Sequence, residues 1–319
     1  TELTGLPKTV TTIGVRSFRG CRNIESLELT GSLASIGHHC FSGCYGLRKI
    51  IIGDNIKQIG EYAFSGGRSG VNREITCPKS MTVLPKGIFS GNYIRSITGC
   101  DNVEEIQEKA FYGTNLHIMV FDLFPRLKRI GVGAFAYAIF WDSGIRLPES
   151  VEEVGDEAFY GSTNYQYIDW IRLSWSLKKI GAKAFWLDSK APAIKEVGCA
   201  AQIPPVCTEN MPFSPEVYRN ATLSVGPVQD YQSTTPWNRF DHIVHEEYSG
   251  VEEVADGGEE VRVSCVGGEM RVECADGTAV TVWSADGREA YSGTGSCTIA
   301  LPRGIYIVRA GSSTRKVIL

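Results

Sequence analysis

One frame recurs through most of the first two hundred residues: an apolar residue, a glycine, two variable positions, a small residue, a phenylalanine, a variable position and a second glycine. It is Ile36-Gly37-His38-His39-Cys40-Phe41-Ser42-Gly43 in its clearest form, and it returns at Phe18, Phe64, Phe89, Phe111, Phe135, Phe159 and Phe185, in steps of 22 to 26 residues. A period in the twenties defines a solenoid, in which each unit buries its apolar face only against its neighbours.

Counting back from each phenylalanine, apolar residues fall at minus 14, minus 12, minus 8 and minus 5. Leu27, Leu29, Leu33 and Ile36 precede Phe41; Ile171, Leu173, Leu177 and Ile180 precede Phe185. A spacing of two is strand period, and the residues between are polar. Each unit therefore reads as a short strand, a turn, a second short strand and a tight corner, with equivalent residues stacked about 4.8 Å apart. The phenylalanines form one interior ladder. The glycine after the apolar residue is replaced by Pro85 and Gln107 in two units; proline excludes positive φ, so this glycine serves close packing.

Quoted in full, the unit Leu47-Arg-Lys-Ile50-Ile-Ile52-Gly-Asp-Asn-Ile56-Lys-Gln-Ile59-Gly-Glu-Tyr-Ala63-Phe64-Ser-Gly66 resembles the BspA-like class of leucine-rich repeats, found in surface proteins of gut and oral bacteria. About eight frames match, with a degenerate ninth at Ile194 to Ala200, so the resemblance covers residues 1 to about 245. The segment 199–245 is similar to the family's C-terminal cap. Residues 246–260, rich in acid and glycine, read as a linker. Alternating segments over 261–319, separated by turn pairs such as Asp276-Gly277, read as a small β-sandwich. This last stretch resembles the C-terminal domains of exported Bacteroidetes proteins, including type IX secretion signals. The fold class is mainly β: a solenoid of eight to nine coils followed by a sandwich.

Several function classes lose support from composition. A net charge of -4 with no basic cluster is a poor match to nucleic acid or anionic membrane. The longest apolar run, Ala134 to Trp141, is eight residues, against roughly 20 for a bilayer span. The chain opens on Thr1 and polar residues rather than a signal peptide, leaving a cytoplasmic protein or one whose export segment has been removed; the two resemblances together imply an exported, extracellular or outer-surface protein. Ten cysteines then raise the question of disulfides. Cys21 and Cys44 each follow a phenylalanine by three residues and stack on adjacent coils, as a bridge or as two buried thiols; Cys199 and Cys207 pose the same alternative within the cap. Cys265, Cys274 and Cys297 fall at inward strand positions.

Catalytic patterns are missing. No GxSxG, P-loop, dinucleotide fingerprint, HExxH or CxxC occurs. His38 and His39 occupy variable positions of the frame, and the His242/His245 segment lacks metal-site spacing. Neither a cofactor nor a metal is expected. Aromatic residues are instead concentrated late in the array, with Trp141, Tyr165, Tyr167, Trp170, Trp175 and Trp186 inside two units. Strand alternation points Trp170 outward, and Trp141 and Tyr167 share a register; the competing reading is that longer loops fold back and bury these rings. The candidate ligand contacts are Trp141, Tyr167, Trp170 and Trp175, with Arg146 and Arg172 as matched polar neighbours. The sequence thus reads as a non-enzymatic binding protein that offers a solenoid face to a protein or glycan. A structural spacer is the alternative, and a hydrolase the least supported reading.

Overall fold

The computed structural model describes residues 2–3, 7, 9–67, 70–117, 120–164, 168–187, 194–208, 211–245, 250–254, 261–266, 269–284, 288–301, 305–311 and 313–318. The chain divides into two compact units, Thr1–His245 and Glu246–Leu319.

In the first unit every strand pairing is parallel and advances by one coil, as in Leu27↔Ile50 and Leu29↔Ile52. The alternating residues Leu27, Leu29, Ile50, Ile52, Ile171 and Leu173 are all buried. The phenylalanines stack in one continuous column. Neighbouring ring centroids lie 5.2 Å apart at Phe18–Phe41, 5.1 Å at Phe111–Phe135 and 5.3 Å at Phe135–Phe159, with planes within 8°. Phe18 at the open end is half-buried, whereas the seven after it are fully buried. The column has a ninth member, Phe213, 5.5 Å from Phe185. The degenerate frame expected around Ile194 to Ala200 is therefore misplaced: Glu196–Cys199 is the long strand of that coil, and its corner is carried by Phe213. Two short helices, Pro215–Asn220 and Val228–Ser233, and a 3₁₀ turn, Trp237–Arg239, then cover the end of the stack with buried Tyr218, Tyr231 and Trp237.

The corners from Phe18 to Phe159 contain two left-handed positions each, and the Phe185 corner one. One lies two residues before the phenylalanine and holds Arg16, His39, Tyr62, Gly87, Lys109, Gly133, Glu157 and Lys183 in turn. The other lies two residues after it, where Gly20, Gly43, Gly66, Gly91, Gly113 and Gly161 share a φ of 60° to 78°. The glycine after the apolar residue has ordinary φ, and a Cβ on Gly60 would come within 2.4 Å of the His38 backbone, so close approach is its role. Where Gln107 stands instead, its Oε1 accepts a bond from the Lys86 N–H at 3.2 Å.

One coil departs from the strand-turn-strand plan. Between Phe111 and Phe135 the long strand is replaced by a 3₁₀ turn, Val120–Leu123. A 3₁₀ geometry eclipses residues three apart. Phe121 thereby reaches Phe135 and Phe159, at 5.4 and 5.9 Å, and Phe124 reaches Phe111 at 6.3 Å. The row of long strands consequently splits, ending in one sheet with Asn115–Leu116, Ile139–Phe140 and Thr163–Asn164 and resuming in another from Gly144–Arg146 to His242–His245.

The short-strand face carries charge that alternates by coil: Glu104 and Glu105, then Lys128 and Arg129, then Glu152, then Lys178. Ion pairs join them at 2.9, 2.8 and 2.8 Å. Exposed pairs contribute about 0–1 kcal/mol each, but a coil out of order would set like charges opposite each other.

Carbonyls at the corners need donors, and the third residue after each phenylalanine supplies several. Cys44 Sγ donates to the Phe18 carbonyl at 3.2 Å, Thr114 Oγ1 to Phe89 at 3.0 Å and Ser162 Oγ to Phe135 at 2.7 Å. Gly67 occupies that position in one coil and has no side chain to offer. Close to it the fully buried Arg73 donates to the carbonyls of Cys44 (2.8 Å), Gly66 (3.2 Å) and Phe64 (3.3 Å), and to Asn92 Oδ1.

Of the two alternatives posed for Cys21, Cys44, Cys199 and Cys207, the structure holds all four as free thiols. Cys44 is the donor just described, and Cys199 Sγ accepts from the Tyr231 hydroxyl at 3.1 Å. Burial pushes Cys40 and Cys207 up to about 12 and Cys199 to about 11. Because the thiolate is the nucleophile, alkylation of the native protein at pH 8 is expected to spare these three, while denatured protein is labelled at all of them. Mass spectrometry of the two samples checks this, and equal native labelling would refute it.

The second unit is antiparallel throughout. Gly250–Val254, Ser313–Ile318, Ile305–Ala310, Ala279–Ser284 and Glu289–Thr294 form one sheet, and Arg262–Val266, Glu269–Glu273 and Cys297–Ala300 another. Met270 and Val272 share a core with Val280, Val282, Val308 and Val317. The linker expected over 246–260 is shortened by this result, since Gly250–Val254 pairs with Ser313–Ile318 as an edge strand. Cys274 and Cys297 are half-buried against that core; the side chain of Cys265 lies outside the described residues.

Candidate binding faces

The resumed sheet carries three of the six residues singled out in the sequence. Gly144–Arg146 pairs with Trp170–Leu173 so that Gly144 faces Trp170 and Arg146 faces Arg172. Inward Ile145, Ile171 and Leu173 hold the strands on the core, which turns Trp170 and Arg172 to the outer surface. The indole of Trp170 lies over Gly144: a Cβ there would come within 2.0 Å of the ring. The ring is half-buried, with the missing side chain as its seat. Arg172 reaches across to the next strand and pairs with Glu196 at 2.7 Å, while Arg146 is exposed.

The other three are dispersed. Trp141 follows Ile139–Phe140 on the neighbouring sheet, is 60 % exposed, and sits 5.3 Å from the His117 ring. Trp175 is half-buried in the turn after the long strand, its backbone N–H donating to Glu149 Oε2 at 3.1 Å. Tyr167, and with it the register proposed for Trp141 and Tyr167, lies outside the described residues, as does Tyr165. The loop-burial alternative is overturned for Trp141, and Trp170 and Trp175 stand between the two readings.

A second aromatic row, on the corners, is not among those candidates. Tyr112 and Tyr160 each follow their ladder phenylalanine directly, and Tyr137 takes the second left-handed corner position, with φ 57° where six other corners have glycine. A side chain in that conformation costs roughly 1–2 kcal/mol. The Tyr137 ring lies on the next coil, where a Cβ on Gly161 would approach it to 2.7 Å. Tyr112 and Tyr160 flank it edge to face, at 5.5 Å and 70° and at 5.7 Å and 76°. The Tyr137 hydroxyl pKa is raised, first by desolvation and then by Tyr160, Tyr112 and Glu157. This row was legible as the dipeptides Phe111-Tyr112 and Phe159-Tyr160 and as a break in the corner glycines, one of two along the array, the other being Leu187. Counting outward positions along the strands passed over it.

Among the described residues no group of three or more His, Cys, Asp or Glu side chains could hold a metal ion, and no helix is long and apolar enough to cross a membrane. His38 accepts a bond from the Glu61 N–H at 3.1 Å, and His39 stacks on Tyr62 at 5.1 Å. An open depression on the second unit is lined by Arg271, Glu273, Cys274, Ser296 and Thr298 and carries none of these aromatic residues.

Parallel coils, a phenylalanine column and outward variable side chains define a leucine-rich-repeat solenoid. More specifically, six copies of the BspA type leucine rich repeat region match residues 2–117 and 128–195, and the chain belongs to that family. The stretch left out of the match contains the 3₁₀ turn. No curated protein matches the chain. Among solved structures it is similar to the pneumococcal vaccine antigen PcpA, at 20% identity and TM-score 0.36, covering 75% of this chain and 71% of that one. A leucine rich cell surface protein from Faecalibacterium prausnitzii is 17% identical with TM-score 0.31, covering 77% and 90%. A leucine-rich repeat protein from Bacteroides ovatus is 14% identical with TM-score 0.26, covering 75% and 88%.

Proposed function

We propose that this chain is a non-enzymatic binding protein of the outer cell surface or the extracellular medium, whose first unit presents the sheet around Trp170 to a protein or glycan. The second unit serves export, anchoring or spacing. The observation that carries the reading is the surface formed by Arg146, Trp170, Arg172 and Glu196, with Trp141 exposed on the neighbouring sheet. Repeat solenoids act through such surfaces, and tryptophan and arginine dominate the energetics of interfaces.

The test is retention of the protein on immobilised mucin and extracellular matrix. Trp170→Ala is expected to lower affinity at least ten-fold, in line with a residue contributing about 2 kcal/mol. Arg146→Glu, a change at an exposed position, is expected to weaken binding with no change in thermal unfolding. Binding indifferent to both substitutions would move the ligand to another face, and no retention on any of these materials would favour the spacer.

A further inference from the structure

The corner row differs from the Trp170 face in geometry and chemistry. Its rings are orthogonal: Tyr137 lies on Gly161, with Tyr112 on one side and Tyr160 on the other. Tyr112 is 36% and Tyr137 49% exposed. Glu157 is exposed close by and has no cation partner among the described residues. The neighbouring lysines are engaged elsewhere, Lys109 with Glu108 at 3.2 Å and Lys183 over the Trp186 ring at 5.8 Å. Aromatic faces attract cations through their quadrupole, and guanidinium groups also stack on them. The Glu157 carboxylate, whose charge is felt at the Tyr137 hydroxyl, adds the charge complement. The backbone supports a role for the ring itself, because Tyr137 holds a conformation that glycine adopts without strain and six other corners do use glycine.

We propose that Tyr112, Tyr137, Tyr160 and Glu157 form a second binding site, which receives an arginine side chain of a protein partner. The guanidinium lies against the Tyr137 face between its two neighbours and pairs with the Glu157 carboxylate. This site is independent of the Trp170 face, and each can stand without the other.

The experiment titrates the full chain with hexaarginine and with hexacitrulline, its uncharged counterpart, and follows the tyrosine ring signals by nuclear magnetic resonance. Hexaarginine is expected to shift the Tyr137, Tyr112 and Tyr160 signals, with hexacitrulline at least about three-fold weaker. Glu157→Gln is expected to weaken the response by a similar factor. Tyr137→Gly restores the residue used at the other corners, so it should fold as well as the parent while losing the response at Tyr112 and Tyr160. Trp170→Ala should leave the titration unchanged. Three results would overturn the proposal: shifts confined to other regions, equal responses to both peptides, or an undiminished response in Tyr137→Gly.

Discussion

Replacing Arg73 by alanine is expected to cost the first unit about 3–5 kcal/mol, among the largest losses available to a single substitution here. The guanidinium is fully buried, with no carboxylate among its hydrogen-bond partners. Burial holds its pKa down to about 10 from 12.5, a cost of roughly 3 kcal/mol for keeping the charge. Against that stand charge-assisted bonds to three carbonyls and to Asn92, each worth about 1.5–3 kcal/mol. Their sum exceeds the desolvation cost, and truncation adds a cavity. Arg73→Met fills most of the volume and gives up the charge, so its loss should be smaller, about 1–3 kcal/mol, set by the bonds lost at Gly66 and Asn92, since the Phe64 carbonyl keeps the Asn92 amide and the Cys44 carbonyl keeps the Leu47 N–H. Denaturant titration of the two variants separates the contributions. A loss below about 1 kcal/mol for alanine would mean that the bonds merely cancel desolvation.

Phe135→Ala is expected to cost about 3–5 kcal/mol, while the same change at Phe18 should cost about 1–2 kcal/mol, the amount recovered by partial burial at an end coil. Phe135 stacks on Phe111 and Phe159 and meets Phe121 and Phe140 as well. Among the described residues Phe18 stacks on Phe41 alone. In a solenoid each coil contacts only its neighbours, so an interior loss weakens two interfaces and a terminal loss weakens one. Hydrogen exchange should show opening around the coils of Phe111 to Phe159 in the first variant and fraying from the amino-terminal end in the second. Equal losses at the two positions would contradict a stack with ends.

Much of the fold was readable because a repeat averages over its own exceptions. Eight corners agree on the phenylalanine, so inward positions could be counted at Leu27 or Ile171 without knowing how any loop runs. Failures came where one coil had to compensate for a local change. Gly67 offers no side-chain donor at its corner, and Arg73, six residues later, turns inward to the carbonyls of Cys44, Phe64 and Gly66; no local pattern marks that arginine as inward, since strand period only says that one side of Arg73–Thr76 is buried. The sequence Val120-Phe-Asp-Leu123 looks like a strand by composition and becomes a 3₁₀ turn because Phe121 and Phe124 both have places in the phenylalanine column. Of the candidate contacts, Arg146, Trp170 and Arg172 were found by alternation. The Tyr137 row was missed because its residues come from corners, where direction is set by left-handed φ rather than by strand period.

Sequence alone determined the class of this protein, its coil length, its interior column and its lack of familiar catalytic patterns, since those depend on residue types recurring at fixed separation. Tertiary structure decided which surfaces exist. Trp170 finds its seat on a glycine 26 positions earlier, and Tyr137 on a glycine 24 positions later. Such contacts depend on how one coil is laid upon the next, and that is settled by packing and carbonyl satisfaction across coils rather than within any of them.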